Sequence, residues 1–310
     1  MDCSNETSAD SFTLLGLSEI PYLQVICVLV LSVMCVITVS GNLLLILAVR
    51  LNPALQTPMY FFLSHLSIID IGFSFTIVPK LLVNTVSKDR SISLSGCALQ
   101  MFFSLALGGA ECILLAVMAY DRFAAICRPL HYNNIMNRKL CLCLASGAWS
   151  LCFINSALHV VLTFDLPYCR SRRVSHYFCE IPPFLQLSCG DTRLNEVLVY
   201  VSAVVIVMCS FMLTLISYHH IISTVLKIRC SQGRQRAFST CGSHLTVVTL
   251  YYGTIMFMYM KPPSAYSQTD RAASILYTVV TPMLNPFIYS VRNKEVQGTA
   301  RRIFLRVKSC

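Results

Sequence analysis

The chain has 310 residues, of which 55% are hydrophobic and only 12% charged, with a formal net charge of +10. A soluble protein of this length needs far more charge on its surface, whereas lipid covers most of the surface of a membrane protein. The composition therefore excludes an ordinary soluble domain. The basic balance reads as topology and as attraction to acidic lipid headgroups, with no nucleic-acid partner expected.

In chain order, residues 1–20 carry Asp2, Glu6, Asp10 and Glu19 and no basic region, so no cleavable leader is expected. Asn5-Glu6-Thr7 is a glycosylation sequon at Asn5. Apolar stretches follow at about residues 24–49, 59–86, 97–126, 140–162, 197–226, 238–260 and 272–291. Each is long enough to cross a hydrocarbon core of ~30 Å at ~1.5 Å per residue. The expected fold is an all-α membrane protein, a seven-transmembrane helix bundle. Its parts are an extracellular segment 1–23, a receptor-like bundle 24–291 with a long loop at about 163–195, and a cytoplasmic tail 292–310.

Charge sets the orientation. With the N-terminus outside, fifteen Lys and Arg face the cytoplasm (Arg50, Arg122, Arg128, Arg138, Lys139 and ten further along), opposed only by Asp121 and Glu295. The other side holds nine cations and ten acids. This asymmetry is the positive-inside pattern, so the N-terminus is expected outside. After the seventh span, Val296, Ile303, Phe304 and Val307 alternate with Arg301, Arg302, Arg306 and Lys308, which predicts a short amphipathic C-terminal helix on the inner leaflet.

Most cysteines lie in spans, as small packing residues. Cys97, Cys169, Cys179 and Cys189 instead fall on the oxidising side, where disulfides form. Three pairings are possible, and sequence alone does not choose among them. Joining Cys97 to Cys179, in the middle of the loop, would fold the loop over the helix mouth; Cys169 with Cys189 would then close the loop on itself.

Ionisable residues within spans are candidates for function. Asp70 lies mid-span in the second helix and Glu111 in the third. Ser104, Gly108, Glu111, Leu115 and Arg122 keep to one stripe of the third helix, which would join an outer cavity to the cytoplasmic end. Asn42 and Asn285 are natural hydrogen-bond partners for Asp70. The expectation is a central polar cluster of Asn42, Asp70 and Glu111 that switches with conformation and holds a proton or Na⁺ at Asp70 and Glu111. The alternative is a static network of neutral carboxyls. No other cofactor is expected. Asp121 and Arg122 are adjacent at the inner end, where a resting ion pair is expected to release the arginine to a partner protein.

Several segments then carry a family resemblance. Met118-Ala-Tyr-Asp-Arg-Phe-Ala-Ala-Ile-Cys127, followed by Arg128-Pro-Leu-His-Tyr132, resembles the third-helix signature of vertebrate odorant receptors, within the rhodopsin-like G-protein-coupled receptors. Gly41-Asn42, Leu55-Gln-Thr-Pro-Met-Tyr-Phe-Phe-Leu63, Ser217-Tyr218, Arg236-Ala-Phe-Ser-Thr-Cys-Gly-Ser-His-Leu245 and Pro282-Met-Leu-Asn-Pro-Phe-Ile-Tyr-Ser-Val-Arg-Asn293 agree in order and spacing, and Trp149 matches the family's fourth-helix tryptophan. Gln56, Phe123-Ala124 and Gly242 depart from the usual residues; those beside Arg122 bear on basal activity and coupling.

The resemblance implies that Asp121, Arg122, Tyr218, Asn285, Pro286 and Tyr289 form the G-protein switch. The partner would be a heterotrimeric G protein of the stimulatory olfactory type, raising cyclic AMP from the plasma membrane of sensory cilia. It also favours the Cys97–Cys179 pairing. The matching ligand positions are Ser104, Leu105, Gly108, Gly109, Ser202, Ala203, Ile206, Tyr252, Ile255, Met256, Tyr259 and Thr278. That lining is mostly apolar with a few hydroxyls, which suits a small neutral odorant. No lysine lies between Arg271 and Lys294, so a retinal Schiff base in the seventh helix is excluded. The outer half of the third helix has no acid to pair with an amine. A transporter would need repeated broken helices, and an intramembrane enzyme a nucleophile–base pair or metal cluster; neither pattern is found.

Overall fold

The computed structural model describes residues 11–17, 20–169, 172–227, 230–259, 268–290, 295–299 and 301–302. Seven long helices make the bundle: α1 (Pro21–Leu51), α2 (Pro58–Val86), α3 (Leu94–Cys127), α4 (Arg138–Phe164), α5 (Arg193–Leu226), α6 (Ser231–Tyr259) and α7 (268–290). Among the described residues, all but α6 hold a membrane-length window that is predominantly apolar. α6 is long enough to span but carries His244, Thr246, Thr249, Tyr251, Tyr252, Gly253 and Thr254, which dilute its hydropathy. Several of these polar groups bond to neighbouring helices or to α6's own backbone, which is how such residues are tolerated in lipid.

Local signals explain where the helices begin. Prolines open α1 and α2, where their missing N–H costs nothing. Ser93 caps α3 by accepting from the N–H of Gly96 (3.1 Å), and Asn137 caps α4 by accepting from Leu140 (2.9 Å). Helix α3 is the central post, with 61% of its apolar window buried in protein; the corresponding figure for α1 is 11%. Leu29, Val36, Phe75, Ile154 and Val161 are exposed, an arrangement that lipid rather than water accounts for. Helix α1 meets α7 closely at Gly41, where an added Cβ would stand 3.0 Å from the ring of Pro286.

Two helices widen into π-helix, α5 at Ala203–Met208 and α7 at Leu276–Val280. Such bulges insert an extra residue into the helical turn and occur often at functional sites.

The outer end is capped by a small sheet that sequence reading does not anticipate. Strand β1 (Ser11–Thr13) pairs antiparallel with β2 (Ser91–Ser93), Phe12 opposite Ile92, and Thr13 also bridges Arg173 of the long loop. Phe12 is buried among Phe164, Tyr168 and Phe184, at centroid distances of 6.5, 5.5 and 4.9 Å. The N-terminal segment, the α2–α3 turn and the α4–α5 loop thus gather at one end, as alternating spans require.

In that loop Cys97 is bonded to Cys179 and Cys169 to Cys189, with Cα separations of 5.5 and 5.9 Å. Residues 295–299 and 301–302 are helical; the rest of the expected amphipathic helix, and the sequon at Asn5, lie outside the described residues.

Candidate functional site

A cavity of about 90 Å³ opens between α3, α4, α5, α6 and α7 beneath the disulfide-held loop. Ser104, Leu105, Gly108 and Gly109 form its α3 wall, Ser202, Ala203 and Ile206 its α5 wall, and Ile255 its α6 wall. Gly109 is where α4 comes close: a Cβ there would stand 2.9 Å from the sulfur of Cys152. The two π segments put Ala203, Ile206 and Val207 on one side and Tyr277 on the other.

Three of the positions implied by resemblance are placed differently, and a fourth is not described. Tyr252 does not line the cavity, because its hydroxyl donates to the carbonyl of Cys112 (2.7 Å) and its ring packs on Phe211. Thr278 is buried and donates back to the carbonyl of Ser274 (2.6 Å), within its own helix. Met256 packs against the main core. The side chain of Tyr259 lies outside the described residues.

Sequence reading also leaves out lining residues: Cys112, Asn155, His159, Ile181, Val199, Val207 and Tyr277. Asn155 and His159 were legible in principle, since polar residues at i and i+4 of a membrane helix share a face. Taken singly, His159 reads as a packing residue. Ile181 could not be placed, because only the folded loop brings it over the bundle.

The loop is held to α7 by a buried polar cluster. The hydroxyl of Tyr277 donates to Glu180 (3.1 Å), the hydroxyl of Tyr177 contacts the Arg271 carbonyl and Ser274, and His176 lies 3.2 Å from the Ser274 hydroxyl. His176 stands 3.7 Å from Glu180, near enough for an ion pair if it were protonated. Burial, the largest effect, with help from Arg271, lowers its pKa to about 3 against the opposing pull of the Phe178 carbonyl and Asp270. His176 is therefore neutral near pH 7, and the contact is polar rather than ionic.

Below the cavity, three α6 side chains bond to successive turns of α3. Tyr251 donates to the carbonyl of Gly108 (2.8 Å), Tyr252 to that of Cys112, and the His244 ring meets that of Leu115 (3.1 Å). The other ring nitrogen of His244 meets the hydroxyl of Tyr218 on α5 (2.7 Å). His244 thus joins α3, α5 and α6, a role that its isolated appearance in the sequence conceals.

Asp70 accepts two hydrogen bonds from the amide of Asn285 (3.0 and 3.1 Å). Asn42 lies beside the same carboxyl, but its amide donates to the carbonyls of Thr38 (3.0 Å) and Pro282 (3.2 Å), tying α1 to α7. Glu111 is fully buried. Its two oxygens, with Asn42 Oδ1, Asn285 Oδ1 and Ser67 Oγ, are buried without a hydrogen-bond partner. These are all hard oxygen donors, the donor chemistry that an alkali cation would need.

At the inner end the expected Asp121–Arg122 ion pair is not formed. Asp121 accepts from the hydroxyl of Tyr132 (2.8 Å), and the Nε of Arg122 is buried without a hydrogen-bond partner. Adjacent helical residues point away from each other, which leaves Asp121 to the loop and Arg122 to the bundle interior. The hydroxyl of Tyr289 is likewise buried and unpaired.

A family model described as olfactory receptor matches residues 31–307. Among similar proteins, olfactory receptor 1F1 of Homo sapiens is 47% identical over 99% of both chains. Olfactory receptor 5AR1 of Mus musculus is 45% identical over 98% of both chains. Olfactory receptor 1f45 of Rattus norvegicus is 46% identical over 98% of this chain and 97% of its own.

Proposed function

Because this chain belongs to the olfactory receptor family, we propose that its odorant binds in the outer cavity and that the inner end drives a stimulatory, olfactory-type G protein to raise cyclic AMP. It is a multi-pass plasma-membrane receptor and not an enzyme. The observation that carries the reading is the ladder of α6 side chains on α3. Gly108 and Cys112 line the cavity, and their carbonyls hold Tyr251 and Tyr252. An occupant of the cavity touches the very turns of α3 to which α6 is fastened. A ligand that fits better when those bonds rearrange shifts the population toward a state with α6 released.

One turn further in, the His244 bonds to Leu115 and Tyr218 would break in the same movement. Arg122, free of hydrogen bonds at its Nε, is then available to the G protein. The buried pair of Asp70 and Glu111 lies between the two ends, and their protonation would respond to the same rearrangement. When bound, Na⁺ would offset their combined charge and favour the resting packing.

The test is an odorant panel applied to cells expressing the receptor, read as cyclic AMP with and without a stimulatory α-subunit. The expected result is a ligand-dependent rise that needs that subunit. Ligand-evoked signalling that proceeds unchanged without it would overturn the coupling.

A further inference from the structure

Resting on the placement of the ligand in the outer cavity, we infer that the α4–α5 wall is a recognition subsite for a single neutral oxygen, so that the receptor selects small alcohols over their charged and hydrocarbon counterparts. The subsite is a chain of three side chains. The hydroxyl of Ser202 donates to Oδ1 of Asn155 (2.9 Å), and Nε2 of His159 lies 2.9 Å from the same hydroxyl. All three residues line the cavity.

The chain has a direction. A serine hydroxyl has one proton, and here it goes to Asn155. Nε2 of His159 must then donate to Ser202, which leaves Nδ1 as a lone-pair acceptor. At the other end, the Asn155 carbonyl oxygen is engaged and its NH₂ group is the part that remains. Among the described residues neither the Asn155 NH₂ nor the His159 Nδ1 has a hydrogen-bond partner, and neither is sealed in the protein interior. One end of the subsite therefore offers donors and the other an acceptor.

The rest of the lining decides what kind of polar group can use them. Leu105, Ile206, Val207 and Ile255 are apolar, and no charged residue lines the cavity. An ammonium or carboxylate would lose its hydration without a counter-charge, which is costly. A hydrocarbon would leave the ends of the chain unsatisfied under a ligand that excludes water. A carbonyl can use only the donor end, at Asn155. A hydroxyl can accept there or donate to His159, and so suits either end. The cavity is smaller than the ~300–1,000 Å³ of ordinary drug sites, which favours a small occupant.

The experiment uses purified receptor and matched probes: hexane, hexanal, hexanol, hexanoic acid and hexylamine. Binding is read as a shift in thermal unfolding, and signalling as cyclic AMP in cells. Hexanol is expected to stabilise the receptor most and hexanal less, with the hydrocarbon and the charged probes weakest. Asn155→Leu and His159→Leu should each weaken hexanol about tenfold, the scale of one buried hydrogen bond, while hexane, spared an unsatisfied polar end, binds no more weakly than to the wild type. His159→Gln keeps a donor for Ser202 and an acceptor beyond it, and should retain most of the affinity. Ser202→Ala, nearly isosteric, serves if the leucine variants fail to reach the surface; it should also flatten the preference. Equal binding of hexane and hexanol, stabilisation by the charged probes alone, or no stabilisation by either oxygenated neutral probe would overturn the subsite. Selective hexanol binding without cyclic AMP would uphold the subsite and count against the coupling proposed above.

Discussion

Arg122 and His176 show how polar groups with different degrees of burial serve different ends. Arg122 is half-buried, and its Nε bonds to nothing. Truncating it removes no hydrogen bond at that nitrogen, so Arg122→Ala is expected to abolish G-protein signalling while surface expression, measured by antibody labelling, stays within about twofold of wild type. Retained signalling at normal expression would exclude it from the switch. His176 is instead fully enclosed, against Tyr177, Phe178, Glu180, Ser274 and the charged pair Asp270 and Arg271. Its folded pKa of about 3 lies below the ordinary value of 6.5, so over that interval the unfolded chain binds the extra proton. Stability from this group is complete above pH 6.5 and falls as the pH drops toward 3, by about 1.4 kcal/mol per unit. Thermal unfolding of purified receptor from about pH 7 to about pH 5 should show the loss, and His176→Phe should flatten it. A profile unchanged by the substitution would mean that other groups govern acid sensitivity.

At the scale of elements, two devices stand out. The first is the ladder of Tyr251, Tyr252 and His244 between α6 and α3. Tyr252→Phe removes one bond and keeps the ring against Phe211. The expected outcome is a rise in ligand-independent cyclic AMP of about fivefold, one net hydrogen bond's weight on a two-state balance. Basal signalling at or below wild type would show that the bond does not favour the resting state. The second is β1, which secures the N-terminal segment through Phe12. Emptying that aromatic box by Phe12→Ala should cost about 3 kcal/mol, visible as a lower unfolding temperature. The same variant should leave inner-end coupling intact, because β1 touches only the outer end. No change in unfolding temperature would mean that the segment does not contribute to stability.

For the molecule as a whole, the bundle acts as one body because α3 is anchored at both ends and gripped along its length. At the outer end the Cys97–Cys179 bond fixes α3 to the loop, and the N–H of Cys179 donates to Gln100 (2.9 Å). Breaking the link by Cys179→Ser should prevent correct surface folding, because it frees the loop that roofs the cavity and leaves a polar hydroxyl in a fully buried place. Surface delivery by flow cytometry is the measurement; normal trafficking with an unchanged odorant response would refute the role of the staple.

The sequence by itself determined the number of spans, their approximate ends, the sidedness and the family. These depend on run length, charge asymmetry and contiguous motifs, all of which are local along the chain. It also marked Asp70, Glu111 and Arg122, because an ionisable residue in an apolar run is conspicuous wherever the run folds. Only the tertiary structure decided which groups meet. It turned Asp121 to Tyr132 instead of Arg122 and drew Tyr252 and Thr278 away from the cavity. It also joined Asn155, Ser202 and His159 across two helices and closed Phe12 into its box. The reason is physical: helix rotation, the π bulges and the loop's path set these partners. Those depend on packing between segments far apart in the chain, for which spacing within any one segment carries no signal.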